Sequence, residues 1–313
     1  MSKPEVLMIG PYPAWDMDDL DDHYLIHRLW EAGDRGTFLA RHGGNIRAIA
    51  TRGELGASAD LMRALPKLEV VSCYGVGTDA IDLKFARDNN IRVTNTPGVL
   101  TEDVADLGMA LMLAAARQLP AGDAHVRDGR WRQGNMALTT RVCGKRVGVV
   151  GMGRIGAAFA RRAAAFDCVI SYFARMPKPE LDYAFVDDLV TLARQSDFLV
   201  ITLAGGEGTR GIVSADVIGA LGPDGILVNI SRGTTVDEGA LLDALEQGRL
   251  RGAGLDVFLN EPAIDPRFAA LQNTVLQPHH GSGTLETRQA MGQLVRDNLA
   301  AHFSGRPLLT PVV

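Results

Sequence analysis

Arg146-Val-Gly-Val-Val-Gly-Met-Gly-Arg-Ile-Gly156 is the stretch from which the rest of the chain is read. Residues 147–150 are an apolar, valine-rich run, and the spacing Gly151-x-Gly153-x-x-Gly156 follows at once. An alanine-rich helical pattern then covers 157–165. Strand, tight glycine turn and helix together form a dinucleotide-binding signature in which each glycine has its own task. Gly151 makes the turn, Gly153 lets backbone amides approach a pyrophosphate, and Gly156 lets helix and strand pack closely. The helix N-terminus offers unpaired N–H groups and the positive end of the peptide dipole to phosphate oxygens. The glycine spacing alone is a weak signal. The strand before it and the helix after it make it specific.

Working outward, 313 residues suggest two domains rather than one core. Hydrophobic residues make up 46%, charged residues 22%, and there are 35 glycines, as expected for an α/β protein with many strand–helix turns. A net charge of −5 without a basic tail argues against nucleic acid or an anionic membrane as partner. An anionic small molecule would have to be drawn in by local arginines. The longest apolar run, 109–116, is too short to span a bilayer. The N-terminus leads directly into a strand without a signal-peptide layout, which sets the expectation of a cytoplasmic protein. Cys73, Cys143 and Cys168 are widely spaced, show no CxxC pattern and give no reason to expect a metal.

The first hundred residues alternate in type, with strands expected at 6–9, 46–51, 68–74 and 91–94 and helices at 20–31, 59–64 and 81–88. Thr96-Pro97-Gly98 is punctuation. Thr101-Glu102-Asp103 then opens a long helix, with a threonine cap and two carboxylates suited to the positive dipole end, and Pro120 is expected to stop it. A loop-rich passage around Trp131 leads to the glycine motif. Beyond the motif, strands are expected at 169–173, 198–203, 226–230, 254–257 and 274–276, with helices at 189–194, 215–221 and 238–247. A final amphipathic helix, 285–303, ends before Gly305-Arg306-Pro307. Short strands separated by helices imply parallel, doubly wound sheets, and two such blocks imply a cleft between them as the binding place.

Three segments at strand ends carry chemistry. Asn229-Ile-Ser-Arg232-Gly233 puts an arginine directly after an apolar strand, where doubly wound sheets bind ligands. Asp256-Val-Phe-Leu-Asn-Glu261-Pro262 puts two carboxylates past another strand. Gln277-Pro-His279-His280-Gly-Ser-Gly283 puts a histidine in a loop stiffened by proline. Alone, the arginine reads equally well as a surface residue after a strand and the carboxylates as turn chemistry, and a lone histidine is more often structural than catalytic. Together they supply a cationic anchor, a proton donor suited to neutral pH, and a carboxylate to orient and charge it.

The chain resembles a D-2-hydroxyacid dehydrogenase, and within that family the branch of hydroxyphenylpyruvate and glyoxylate/hydroxypyruvate reductases. The matching segments are Tyr74-Gly-Val-Gly-Thr-Asp-Ala-Ile-Asp82, Val93-Thr-Asn-Thr-Pro-Gly-Val-Leu-Thr-Glu-Asp-Val-Ala-Asp106 and the glycine motif. Asn229–Gly233, Gly254-Leu-Asp-Val-Phe-Leu-Asn-Glu-Pro262 and His302-Phe-Ser-Gly-Arg-Pro-Leu-Leu-Thr-Pro311 match as well. The resemblance implies two doubly wound parallel-sheet domains. One is a flavodoxin-like substrate domain, 1–98 plus 285–313, and the other a Rossmann nucleotide domain, 99–284. It implies Arg232 as the anchor for a 2-oxo acid's carboxylate and carbonyl, His279 as acid/base and Glu261 as its partner. Val76 and Gly77 would give backbone amides to the substrate carboxylate. Thr101, Arg154 and Ile155 would line the pyrophosphate beside Gly151, Gly153 and Gly156. Asp256 would sit near the nicotinamide carboxamide, with Ile230 and Gly281 also on the cofactor. His279 is preferred over His280 because it directly follows Pro278. Leu203-Ala-Gly-Gly-Glu-Gly-Thr209 departs from the family by lacking a proline. A homodimer is expected from the resemblance alone.

The cofactor is read from the strand after the motif. Strand 169–173 runs into Ala174-Arg175-Met176-Pro177-Lys178, with no acid before Glu180 to hold a ribose diol. Arg175 and Lys178 suit a 2′-phosphate, which points to NADP(H), with NAD(H) as the weaker alternative. Arg52 and Tyr74 end strands of the first block and would face the substrate's side chain. Arg52 reads equally as a solvated turn residue. Glu261 stands where formate-dehydrogenase-like chains carry Gln, and no residues remain for the regulatory domain of phosphoglycerate dehydrogenases. A non-catalytic, nucleotide-sensing protein resembling the corepressors of this fold would keep the same Arg/Glu/His set, and so would a dehydrogenase of another substrate branch.

Overall fold

The structure, a computed structural model, describes residues 3–313, so the first two residues of the N-terminal stretch lie outside it. In chain order the elements begin with β1 (Glu5–Met8), α1 (Ala14–His23), β2 (Leu25–Arg28), α2 (Arg35–His42) and β3 (Ala48–Arg52). Next come α3 (Ala59–Arg63), β4 (Val70–Tyr74), α4 (Leu83–Asp88) and β5 (Arg92–Thr94). Then follow α5 (Thr101–Arg117), α6 (Leu119–Arg127), β6 (Arg146–Val150), α7 (Arg154–Ala164), β7 (Val169–Phe173) and β8 (Ala184–Phe185). The remainder is α8 (Leu189–Arg194), β9 (Phe198–Ile201), α9 (Ala215–Leu221), β10 (Ile226–Asn229), α10 (Glu238–Glu246), β11 (Gly252–Leu255), β12 (Thr274–Leu276) and α11 (Leu285–Phe303).

The chain divides into two compact units. One comprises the residues up to Leu100 together with Ser282–Val313, and the other is Thr101–Gly281. The first holds a five-stranded sheet in the order β2-β1-β3-β4-β5, every pair parallel. The second holds seven parallel strands in the order β12-β11-β10-β9-β6-β7-β8. Parallel strands are covered on both faces, which is why β3, β4, β9, β10 and β11 are almost wholly buried runs rather than alternating ones. Winding reverses between β1 and β3 in the first sheet and between β6 and β9 in the second. At such points the connections leave in opposite directions and open a crevice beyond the carboxyl ends of the strands. The glycine turn after β6 stands at the second of these points, and Arg52, the last residue of β3, at the first.

Three local expectations are corrected. The helix expected over 20–31 is instead the end of α1, an extended Tyr24, and β2, which pairs in parallel with Glu5–Met8. Leu20, Tyr24, Ile26 and Leu29 suit either period, and an edge strand is only half covered, so tertiary pairing settled what spacing left open. α2 was not anticipated, although Asp34 caps it by accepting from the Thr37 N–H at 2.6 Å. Pro120 does not stop the long helix. α5 ends at Arg117, Gln118 takes a left-handed turn (φ 50°), and Pro120 falls in the first turn of α6. There its missing N–H has no helical partner to lose.

Candidate active site

The glycine turn is built as its spacing requires. Gly151 has φ +101°, and a Cβ there would lie 2.9 Å from Leu203, two residues past the end of β9, which runs beside β6. A Cβ on Gly156 would strike the Gly151 carbonyl, so α7 packs onto the turn only without one. Gly153 differs. Its φ is −80°, and a Cβ would meet nothing within 4 Å. Nothing in the protein requires glycine there, and the open space is what a phosphate group would fill. Gly153 also caps α7 without a side-chain acceptor, leaving the first-turn N–H groups available.

The loop after β7 continues this surface. Tyr172 is buried and its Oη accepts from the Lys178 N–H at 2.7 Å, clasping residues 174–178 into one turn. Arg175 is exposed on that turn, and among the described residues it forms no ion pair. Thr101 is the first residue of α5. Ile230 is buried, with its Cδ1 close to where a Gly108 side chain would be, and its N–H donates to the Ile201 carbonyl at 3.2 Å.

At the end of β10, Asn229 organises the arginine. Its Oδ1 accepts from the Ser231 N–H at 3.0 Å, and its Nδ2 donates to the Arg232 carbonyl at 3.0 Å. The Thr235 hydroxyl donates to the same carbonyl at 2.7 Å, and one Arg232 guanidinium nitrogen donates to the Ser231 carbonyl at 2.8 Å. Gly233 lies where a Cβ would collide with the Phe258 backbone, so the Arg232 turn closes directly onto the chain that carries Glu261.

Glu261 is clamped from both sides. Oε1 accepts from the Phe258 N–H at 2.8 Å, and Oε2 lies 2.7 Å from His279 Nδ1. Burial alone would push this carboxyl up. The hydrogen bonds from His279 and Phe258, with the charges of His279 and Arg232, outweigh burial and hold it below its ordinary value. An ionised carboxylate can only accept, so His279 presents its Nδ1–H to Glu261 and leaves Nε2 for a reacting group. Arg232, Glu261 and His279 thus lie in one unit, at the carboxyl ends of adjacent strands, and the Arg232 charge is felt at Glu261.

Asp256 has a role that its sequence position does not reveal. It is only 2% exposed, and its Oδ1 and Oδ2 accept from the N–H groups of His280 (2.6 Å) and Gly281 (2.9 Å). Its carbonyl accepts from the His279 N–H at 2.8 Å. These three bonds hold His279 at φ +52°, a left-handed conformation that a non-glycine residue leaves unless tied down. Burial raises the Asp256 carboxyl above its usual value, against the opposing backbone hydrogen bonds and the His279 charge. Gly281 sits directly on Asp256, since a Cβ would lie 3.0 Å from Oδ2. His280, the adjacent histidine, is exposed and engages only its backbone N–H.

In the first unit, the N–H groups of Val76 and Gly77 carry no hydrogen bond among the described residues, and Val76 is exposed just past β4. Arg52 pairs with Glu54 at 2.5 Å across a solvent-exposed turn, an interaction that contributes about 0–1 kcal/mol and leaves the guanidinium free to exchange partners. Tyr74 is buried against Tyr12, ring centroids 4.7 Å apart, and donates its hydroxyl to the Arg288 carbonyl at 2.6 Å. Its ring and not its hydroxyl is therefore what a ligand could meet. Sequence reasoning missed the clamp by Asp256, the Ser231/Thr235 support of Arg232, and the Arg288 carbonyl that receives the Tyr74 hydroxyl. The Asp-to-loop spacing of 24 residues offers no local signal for the first.

A match to the D-isomer specific 2-hydroxyacid dehydrogenase NAD binding domain covers residues 109–281. The hydroxyphenylpyruvate reductase of Plectranthus scutellarioides is 50% identical over 308 residues, 98% of each chain. The chain belongs to the D-isomer specific 2-hydroxyacid dehydrogenase family. Among solved structures, a 2-hydroxyacid dehydrogenase from Ketogulonicigenium vulgare Y25 superposes with a TM-score of 0.94 at 58% identity, covering 100% of this chain and 99% of that one. An NADPH-dependent glyoxylate/hydroxypyruvate reductase from Sinorhizobium meliloti, solved with NADP and malonate, gives 0.93 at 41% identity, covering 100% and 97%.

Proposed function

We propose that the protein is an NADPH-dependent reductase of small 2-oxo acids, with glyoxylate, hydroxypyruvate and hydroxyphenylpyruvate as the candidate substrates and D-2-hydroxy acids as products. The observation that carries this reading is the 2.7 Å His279–Glu261 pair, held at a strand end by Asp256 in the unit that also carries the open glycine turn. The second unit is assigned as the nucleotide domain and the first as the substrate domain.

NADPH, when bound, supplies the hydride. Gly151, Gly153, Arg154, Ile155 and Gly156 are assigned to its pyrophosphate along with Thr101, and Arg175 and Lys178 to its 2′-phosphate. Ile230, Asp256 and Gly281 would lie at its nicotinamide end, where Asp256 acts by holding the His279–Gly281 loop. The N–H groups of Val76 and Gly77 take the substrate carboxylate. Arg232 holds the carboxylate and the carbonyl oxygen, and stabilises that oxygen as negative charge grows on it. His279 Nε2 donates the proton that completes the alcohol, while Glu261 keeps the ring in the orientation for that transfer.

Initial rates with NADPH and NADH against glyoxylate, hydroxypyruvate and 4-hydroxyphenylpyruvate test this directly. Turnover is expected, with NADPH the better cofactor. Absence of turnover with every 2-oxo acid overturns the reductase reading, and equal efficiency with NADH overturns the cofactor assignment. Arg175→Asp should lower kcat/KM for NADPH by roughly ten- to a hundredfold, the scale of losing a hydrogen bond to a charged group, and spare NADH. Gly153→Ala should raise KM for either cofactor while Tm stays within a degree or two, because its Cβ enters space that only a ligand would fill. A large drop in Tm would mean that the position is structural.

The finer assembly reading is a homodimer. It is supported by the stretch from α6 onward, where Leu119, Val126, Trp131 (63% exposed) and Leu138 (100% exposed) present apolar side chains within about twenty residues. No helix among the described residues is long and apolar enough to cross a membrane, and a cytoplasmic location belongs to the same proposal.

A further inference from the structure

The turn that carries Arg232 leads into α10, and Asp237 caps that helix by accepting from the Ala240 N–H at 3.0 Å. Glu238, the first residue of α10, is therefore not needed as a cap. Its side chain reaches out of its own helix, and Oε2 accepts from the Leu259 N–H at 2.8 Å. Leu259 belongs to the loop after β11 that leads to Glu261. Two carboxylates thus hold consecutive amides of this loop, Glu261 that of Phe258 and Glu238 that of Leu259. Asn260 follows directly with φ +57°, a left-handed turn.

Holding a carboxylate there has a cost. Glu238 lines a small cavity with Asn229, Gly233, Val236, Leu255 and Phe268, between the ends of β10 and β11 and the start of α10. Burial pushes its carboxyl up. The Leu259 bond and the Arg267 charge oppose that, while the charges of Asp265 and Glu261 add to it. A group kept against such pressure is one whose return lies elsewhere, here in geometry. Gly233 packs on the same two loop residues, since a Cβ there would strike the Phe258 carbonyl and the Leu259 nitrogen. The Arg232 turn and the Glu261 loop are joined twice, by that contact and by the bond from Glu238.

We infer that Glu238 is a positioning residue for the reduction: by holding the Leu259 amide it fixes the loop from which Glu261 orients the His279 ring, against the turn that carries Arg232. This rests on the reductase reading above and adds a residue to its machinery. Glu238 acts through Glu261, which gives it a signature in pH. Around Glu261 stand Arg232 after β10, Asp256 and the Phe258 N–H after β11, His279 after β12 and Glu238 on α10. Burial pushes the Glu261 carboxyl up, and the His279 and Phe258 bonds with the charges of His279 and Arg232 hold it down. A loop released from Glu238 loosens the Phe258 bond, so Glu261 takes its proton at a higher pH. Glu238 is held above its ordinary value and Glu261 below, so Glu238 is already neutral where Glu261 titrates, and glutamine reproduces it there.

The experiment measures kcat from acid to neutral pH, KM for NADPH, and Tm, with the best substrate among the 2-oxo acids above. It compares the wild type with Glu238→Ala, Glu238→Leu, Glu238→Gln, Glu261→Gln and the double variant Glu238→Ala/Glu261→Gln. Glu238→Ala and the space-filling Glu238→Leu should lower kcat by roughly ten- to a hundredfold, the scale of misplacing a reacting group by about an ångström, and leave KM for NADPH within about twofold. The acid side of their kcat profiles should move to higher pH. Glu238→Gln keeps an acceptor oxygen and should recover most of the loss, with its acid side on that of the wild type. Added to Glu261→Gln, Glu238→Ala should cost less than about twofold more, because both losses run through one carboxylate. Full kcat in Glu238→Ala, losses that multiply in the double variant, an unshifted acid side, no recovery in Glu238→Gln, or a Tm collapse in both Glu238→Ala and Glu238→Leu overturns the inference while the reductase reading stands. Absence of wild-type turnover with every 2-oxo acid overturns both.

Discussion

His279→Ala should lower kcat by about a hundredfold or more, the range expected when a positioned proton donor, the role proposed for His279, is removed. The reason is specific to this site. Glu261 accepts from Nδ1, so the ring is committed to presenting Nε2, and Asp256 holds the backbone at a conformation that His279 would not keep unaided. KM for the 2-oxo acid should change less than kcat, because proton transfer matters most as the alcohol forms. His280→Ala is the matched control. It stands next door on the same loop, and its side chain engages none of the described residues. Steady-state kinetics with glyoxylate and NADPH would decide. Comparable losses in the two variants would mean that the loop, not the imidazole, is responsible, and an unaffected His279→Ala enzyme would end the acid/base assignment.

On the proposed reading, Arg232→Ala should lower kcat by roughly a hundred- to a thousandfold and raise KM as well, since a donor aimed at a developing oxyanion would act in the transition state and a carboxylate anchor in both states. Arg232→Lys should recover only part of this. A lysine is a point charge and cannot reproduce the planar fork that holds two oxygens together. The turn that carries Arg232 is held by Asn229 and Thr235 through its backbone, bonds that remain when the guanidinium and its bond to the Ser231 carbonyl are removed. The alanine variant should therefore keep the wild-type Tm within a few degrees. Loss confined to KM would show that Arg232 binds the substrate without stabilising the oxygen, and a Tm collapse would show that the loss is one of folding.

The two variants report on different parts of one constellation. The Arg232 charge contributes to keeping the Glu261 carboxyl ionised, together with His279 and the Phe258 N–H. An effect of Arg232→Ala on His279 function through Glu261 is therefore built in, and the double variant should lose less than the sum of the singles.

Much of the molecule was legible from residues alone because its information is local. A buried parallel strand needs a continuous apolar run, as at residues 226–229, and a glycine turn needs its three glycines within six positions, as from Gly151 to Gly156. The family's motifs likewise sit in short stretches. Edge strand β2 was misread because a half-covered strand and a helix impose similar spacing on so few residues, and only pairing with β1 distinguishes them. Asp256 could be named from its strand end. Its grip on the His279 loop could not, because the two meet only when β11 and β12 lie side by side. The same holds for Arg288, which is 214 residues from the ring it covers. Local pattern determined which elements form and which residue types stand at their ends. The tertiary structure alone decided which of those ends meet, because hydrogen bonds and charges act over a few ångströms of space and are blind to distance along the chain.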